Sequence, residues 1–81
     1  INRRVSDAPA TIAAVLAKYS PGAKSVDHTD GVSVEFGEWR FNLRSSNTEP
    51  LIRLNVESRG DEPLMREKTA ELLALVGGEP G

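Results

Sequence analysis

Cysteine is absent from this 81-residue chain, which excludes disulfides, a thiolate nucleophile and thiolate metal sites, and leaves the redox compartment unmarked. Histidine occurs once, as His28. A lone imidazole beside Asp27 is far more often a surface or strand residue than a general base, so no catalytic centre is expected from it. No apolar run approaches the roughly 20 residues needed to cross a bilayer, and no signal-peptide pattern opens the chain. A cytoplasmic protein with no membrane partner is therefore expected. A basic excess is also missing: 10 lysines and arginines face 12 aspartates and glutamates, for a net charge of −2. That balance argues against wholesale attraction to nucleic acid, and any anion site must be local. Internal repeats and low-complexity segments are not found.

What is present suits one small domain spanning residues 1–81. Hydrophobic residues make up 38% and charged residues 27%, too apolar for wholesale disorder. Two independent cores would leave both halves below the size that folds unaided. The start at Ile1 and the GGEPG end fit an excised domain.

Along the chain the pattern reads strand, helix, four short strands, helix. Ile1 to Val5 is a brief strand. Ser6 or Asp7 then caps a helix from Ala10 to Tyr19, in which Ile12, Val15, Leu16 and Tyr19 recur at helical spacing until Pro21 and Gly22 stop it. Lys24 to His28, a turn at Thr29-Asp30-Gly31, and Val32, Val34 and Phe36 alternating with Ser33 and Glu35 make a hairpin. After a turn at Gly37-Glu38, Trp39, Phe41 and Leu43 share one strand face while Arg40, Asn42 and Arg44 share the other. Ile52, Leu54 and Val56 repeat the apolar face, with Arg53, Asn55 and Glu57 opposite. A last helix begins at Asp61, with Pro63 in its first turn, and ends at Gly77. The expected fold class is α+β, an antiparallel sheet of four to five strands with two helices on one face. Trp39 and Phe41 then lie in the core, leaving the open face without the aromatic platforms of a single-strand nucleic-acid binder.

The segment between the two longest strands, Arg44-Ser45-Ser46-Asn47-Thr48-Glu49-Pro50, carries more polar chemistry than turning requires. Arg44 offers a planar fork of N–H donors matched to phosphate or carboxylate; Ser46, Asn47 and Thr48 add donors beside it, and turn amides can complete an anion nest. Seven of the ten basic residues are arginine, which favours geometric oxyanion recognition over diffuse attraction. A plainer reading has Ser46 and Asn47 capping the turn, Pro50 fixing it, and Arg44 pairing with Glu57 across the sheet. The residues alone leave both readings open.

This run resembles the phosphate-binding loop of the α-D-phosphohexomutases, in the R-x-S-N-T-E-P form of the phosphomannomutase/phosphoglucomutase enzymes. The resemblance extends through DGVSVEFGEWRFNLR before the loop and LIRLNVESR after it, so that nearly the whole chain is similar to that family's C-terminal domain (domain 4). It implies a TATA-binding-protein-like fold. It also implies that Arg44, Ser46, Asn47 and Thr48 bind the substrate phosphate. Arg53, the second basic residue after the loop and on the polar face, joins them; its spacing differs among members. Ser45 and Glu49 receive no contact. In the full enzyme, which interconverts 1-phospho and 6-phospho sugars in carbohydrate metabolism, a phosphoserine, magnesium and hexose 1,6-bisphosphate belong with other domains. This one is expected to bind no metal and to be inactive alone. The implied partners are the phosphosugar and the enzyme's other domains. Phosphoglucosamine mutases usually carry glycine where Asn47 stands, which makes that subgroup the alternative. A free-standing small-ligand or nucleic-acid-binding module is the other.

Overall fold

The computed structural model describes residues 1–29, 31–46 and 49–80. Its elements run β1 (Asn2–Arg4), α1 (Ala8–Tyr19), a 3-10 turn (Ser20–Gly22), β2 (Ser25–Asp27), β3 (Val32–Glu35), β4 (Trp39–Ser45), β5 (Leu51–Ser58), α2 (Glu62–Val76) and β6 (Glu79–Pro80). The strands form a sheet in the order β2-β3-β4-β5-β1-β6, every pairing antiparallel. The architecture is the expected α+β one, with one strand more than the pattern suggested. The addition is the two-residue β6, which pairs Glu79 with Arg4 and Pro80 with Arg3. A proline can occupy this strand because β6 is the sheet edge.

Both helices start where a carboxylate can take an orphan backbone donor. Asp7 accepts from the Ala10 amide at 3.1 Å and Asp61 from the Leu64 amide at 3.0 Å, the reciprocal of the unsatisfied N–H groups in a helix's first turn. Asp7 rather than Ser6 is thus the cap, and α1 begins two residues earlier than its apolar periodicity suggested. At the far end of α2, Gly77 donates its N–H to the Leu73 carbonyl at 2.8 Å. Its φ of 66° is positive but its ψ of −141° lies outside the left-handed helical basin, a combination only glycine adopts readily.

The alternation along β4 and β5 decides the rest. Trp39, Phe41, Leu43, Ile52 and Leu54 are buried, whereas Arg40, Arg44, Arg53, Asn55 and Glu57 are exposed. The apolar face receives both helices, α1 across β4 and α2 across β5, through Val15, Leu72 and Val76. Trp39 stacks on Phe36, ring centres 4.5 Å apart and planes 6° from parallel, and meets the edge of Tyr19 at 6.0 Å.

Tyr19 also joins the helices, its O–H donating to Glu71 Oε1 at 3.1 Å. Burial first, then the bond to this carboxylate and its charge, push the Tyr19 phenol up from 10.0 to about 12. A phenol that ionises later in the folded state supports the fold fully below its unfolded value and loses that support as pH rises through the folded one. Stability is therefore expected to fall between about pH 10 and 12. As Tyr19 is the single tyrosine, an ultraviolet phenolate titration reads it directly, and a midpoint near 10 would contradict the packing.

Candidate functional site: an arginine pair at the end of β4 and β5

The β4–β5 register sets Arg44 directly opposite Arg53 and Arg40 opposite Glu57. The plain reading of Arg44 as the partner of Glu57 is thereby corrected: Glu57 Oε2 lies 3.7 Å from Arg40 Nε, because a pairing partner is the residue across the ladder. That ion pair is exposed and holds little energy. Loop-end bonds from the Ser46 amide to the Leu51 carbonyl and from the Arg59 amide to the Glu38 carbonyl show that odd-numbered β5 residues turn their backbone groups toward β4. Arg44 and Arg53 are hence a hydrogen-bonded pair, with α-carbons about 5.5 Å apart and side chains leaving the same face.

Two flanking residues complete a row across four strands. On the β3 side, Gly31 precedes Val32, which pairs with Leu43, so Gly31 falls beside Arg44. Its φ is +69°, and a Cβ there would lie 2.7 Å from Arg44 Cγ and 2.5 Å from the Leu43 carbonyl oxygen. The stem of Arg44 therefore uses space that only glycine leaves. On the β1 side, Asn2 pairs with Arg53, and Asn2 Oδ1 accepts from Arg53 Nε at 3.3 Å.

The turn itself is braced by its own residues. Ser46 Oγ accepts from the Glu49 amide at 3.2 Å. The Leu51 amide donates back to the Glu49 carbonyl at 2.8 Å, a tight turn centred on Pro50, whose carbonyl accepts from the Val5 amide at 2.8 Å. Pro50 suits this position because the fixed φ of proline lies close to that of such a turn. Ser46 therefore shapes the turn as the plainer reading held, while a hydroxyl keeps both donor and acceptor capacity.

Asn2, Arg44, Ser45, Ser46, Leu51 and Arg53 surround a cavity of about 280 Å³. Of the five expected phosphate ligands the structure brings Arg44, Ser46 and Arg53 together; Asn47 and Thr48 lie outside the described residues. Ser45, expected to make no contact, borders the same space. Asn2 was not anticipated. Its pairing with Arg53 puts it on the polar face, and no local signal in the sequence tied it to a loop more than forty residues away. None of the described residues lining the cavity is acidic. A broader polar recess of about 560 Å³ continues over the open face past Asn42 and Asn55, where Asn42 Nδ2 donates to Ser33 Oγ at 3.0 Å. Arg3 and Arg4 form no patch with one another. Arg3 lies opposite the buried Ile52 and Arg4 opposite Leu51, so successive side chains leave opposite faces.

Residues 1–74 match the model of the phosphoglucomutase/phosphomannomutase C-terminal domain. The chain belongs to that family. A phosphomannomutase of Escherichia coli is 58% identical over 76 residues, covering 94% of this chain and 17% of the relative. A phosphomannomutase of Salmonella typhimurium is 59% identical over the same shares. Proteins described as phosphohexose mutases in Xanthomonas campestris pv. campestris are 55% identical over 78 residues, or 96% of this chain and 17% of theirs. The chain thus spans about a sixth of the length of these relatives. Among the described residues no group of three or more histidines, aspartates or glutamates could hold a metal ion. No helix of the described residues is long and apolar enough to cross a membrane.

Proposed function

We propose that residues 1–81 form the C-terminal domain that holds the phosphate of a hexose phosphate within a cytoplasmic phosphomannomutase/phosphoglucomutase. The observation that carries this reading is the Arg44–Arg53 pair at the mouth of the R-S-S-N-T-E-P turn. Two guanidinium groups opposite one another, with their side chains on one face of the sheet, can both donate charge-assisted hydrogen bonds to the oxygens of a single phosphate dianion. Ser46, on the same cavity, adds a neutral donor, and the reading assigns Asn47 and Thr48, next in sequence, to the same phosphate. Phosphoryl transfer needs positioning together with charge neutralisation at the reacting group. This domain supplies the positioning; the phosphoserine, magnesium and hexose 1,6-bisphosphate act on the other domains of the full enzyme.

Two measurements on the 81-residue chain test the proposal. Hexose 6-phosphate should shift the resonances of Arg44 and residues 45–48 with an affinity of about millimolar or weaker, since one phosphate clamp must offset lost translational freedom. An oligonucleotide should shift none of them. In a coupled mutase assay with magnesium and bisphosphate the chain alone should show no turnover. Silence of the loop toward phosphate removes the binding role, and turnover above a buffer blank places the chemistry here instead.

A further inference from the structure

We propose that Asn2 is a further ligand of the anion, donating from its side-chain amide while its carbonyl aims Arg53; this rests on the phosphate reading above. Asn2 enters the site from β1, outside the recognised loop, and lines the same cavity as Arg44 and Ser46. Its Oδ1 accepts from Arg53 Nε at 3.3 Å. That bond fixes the orientation of the amide, because Nε can only donate and must face an oxygen. The part of the group that would repel an anion is thereby turned to a cation. The two N–H donors of Nδ2 sit on the other arm of the same planar amide, on a residue that lines the cavity, and the proposal gives them to the anion.

The bond has a second consequence for Arg53. Spending Nε on Asn2 leaves the two terminal amino groups of its guanidinium, the edge that grips two oxygens of one phosphate. Asn2 and Arg53 thus act as a unit opposite Arg44, and their ligand is the tetrahedral dianion of a phosphate monoester.

The test is a titration of the isotope-labelled 81-residue chain with inorganic phosphate at constant ionic strength, read at the arginine Nε–H and asparagine side-chain amide resonances. The Asn2 amide protons should move downfield along the same saturation curve as Arg44 and Arg53. Asn2→Ala should fold with an otherwise unchanged spectrum and bind phosphate about tenfold more weakly, the loss of one hydrogen bond to a charged group. Shifts at both arginines with an unmoved Asn2 amide, or a wild-type affinity in Asn2→Ala, overturn the role of Asn2 alone. No shift at either arginine in the wild-type chain overturns the phosphate reading and this inference with it.

Discussion

Arg44→Ala in the full-length enzyme is expected to raise KM for the hexose phosphate and to lower kcat as well. Anchoring the phosphate orients the reacting hydroxyl, so part of the binding energy is realised in the transition state rather than in the Michaelis complex. Losing a hydrogen-bond partner to a charged group costs on the order of 1.5–3 kcal/mol, or roughly 10- to 150-fold in kcat/KM. Arg44→Lys should recover only part of this, because a point charge cannot reproduce the two-pronged fork. The opposing Arg53 sharpens the expectation: it remains in the alanine variant and keeps the pocket cationic, so residual binding should weaken further at high salt. Steady-state kinetics of the three proteins, with melting curves to exclude unfolding, decide the matter. Wild-type kinetics in the alanine variant would remove Arg44 from the site.

The second large effect concerns stability. Trp39→Ala is expected to destabilise by roughly 3–5 kcal/mol, the usual cost of emptying a large aromatic site. That is a large fraction of the total for a small domain. The indole is buried at 8% exposure, lies flat on Phe36, and has Lys68 Nζ 5.5 Å from its ring centre. Removing it strips one wall from the Tyr19–Phe36–Phe41 cluster. Denaturant unfolding should show a lower midpoint, and phosphate should not change indole fluorescence in the intact chain. A phosphate-quenched, solvent-exposed indole would place Trp39 on the wrong face of the sheet.

Those two expectations draw on different levels of organisation. That Trp39 is buried and Arg44 exposed follows from the sequence alone, since side chains in a strand alternate by covalent geometry and the apolar set Trp39, Phe41, Leu43 can only turn inward. Asp61 was legible as a cap for an equally local reason, a short acceptor within three residues of an orphan amide, whereas Ser6 and Asp7 were equal candidates until the structure chose Asp7. The tight turn at Pro50 was marked by its own composition. Register is a different matter. Sliding β5 along β4 by two or four residues preserves every face assignment, so periodicity could not say whether Arg44 would meet Arg53, Asn55 or Glu57. The short turn, closed by Ser46 on Leu51, decided it. β6 escaped notice because two residues carry no period, and it becomes a strand only when the chain after Gly77 meets the edge of β1. Asn2 beside Arg53 is the furthest case. It required β1 to pair with β5 from the other end of the chain, with the Ile1 carbonyl accepting from the Leu54 amide at 2.7 Å. Local sequence determined which groups could bind an anion, and long-range strand pairing alone determined which of them stand together.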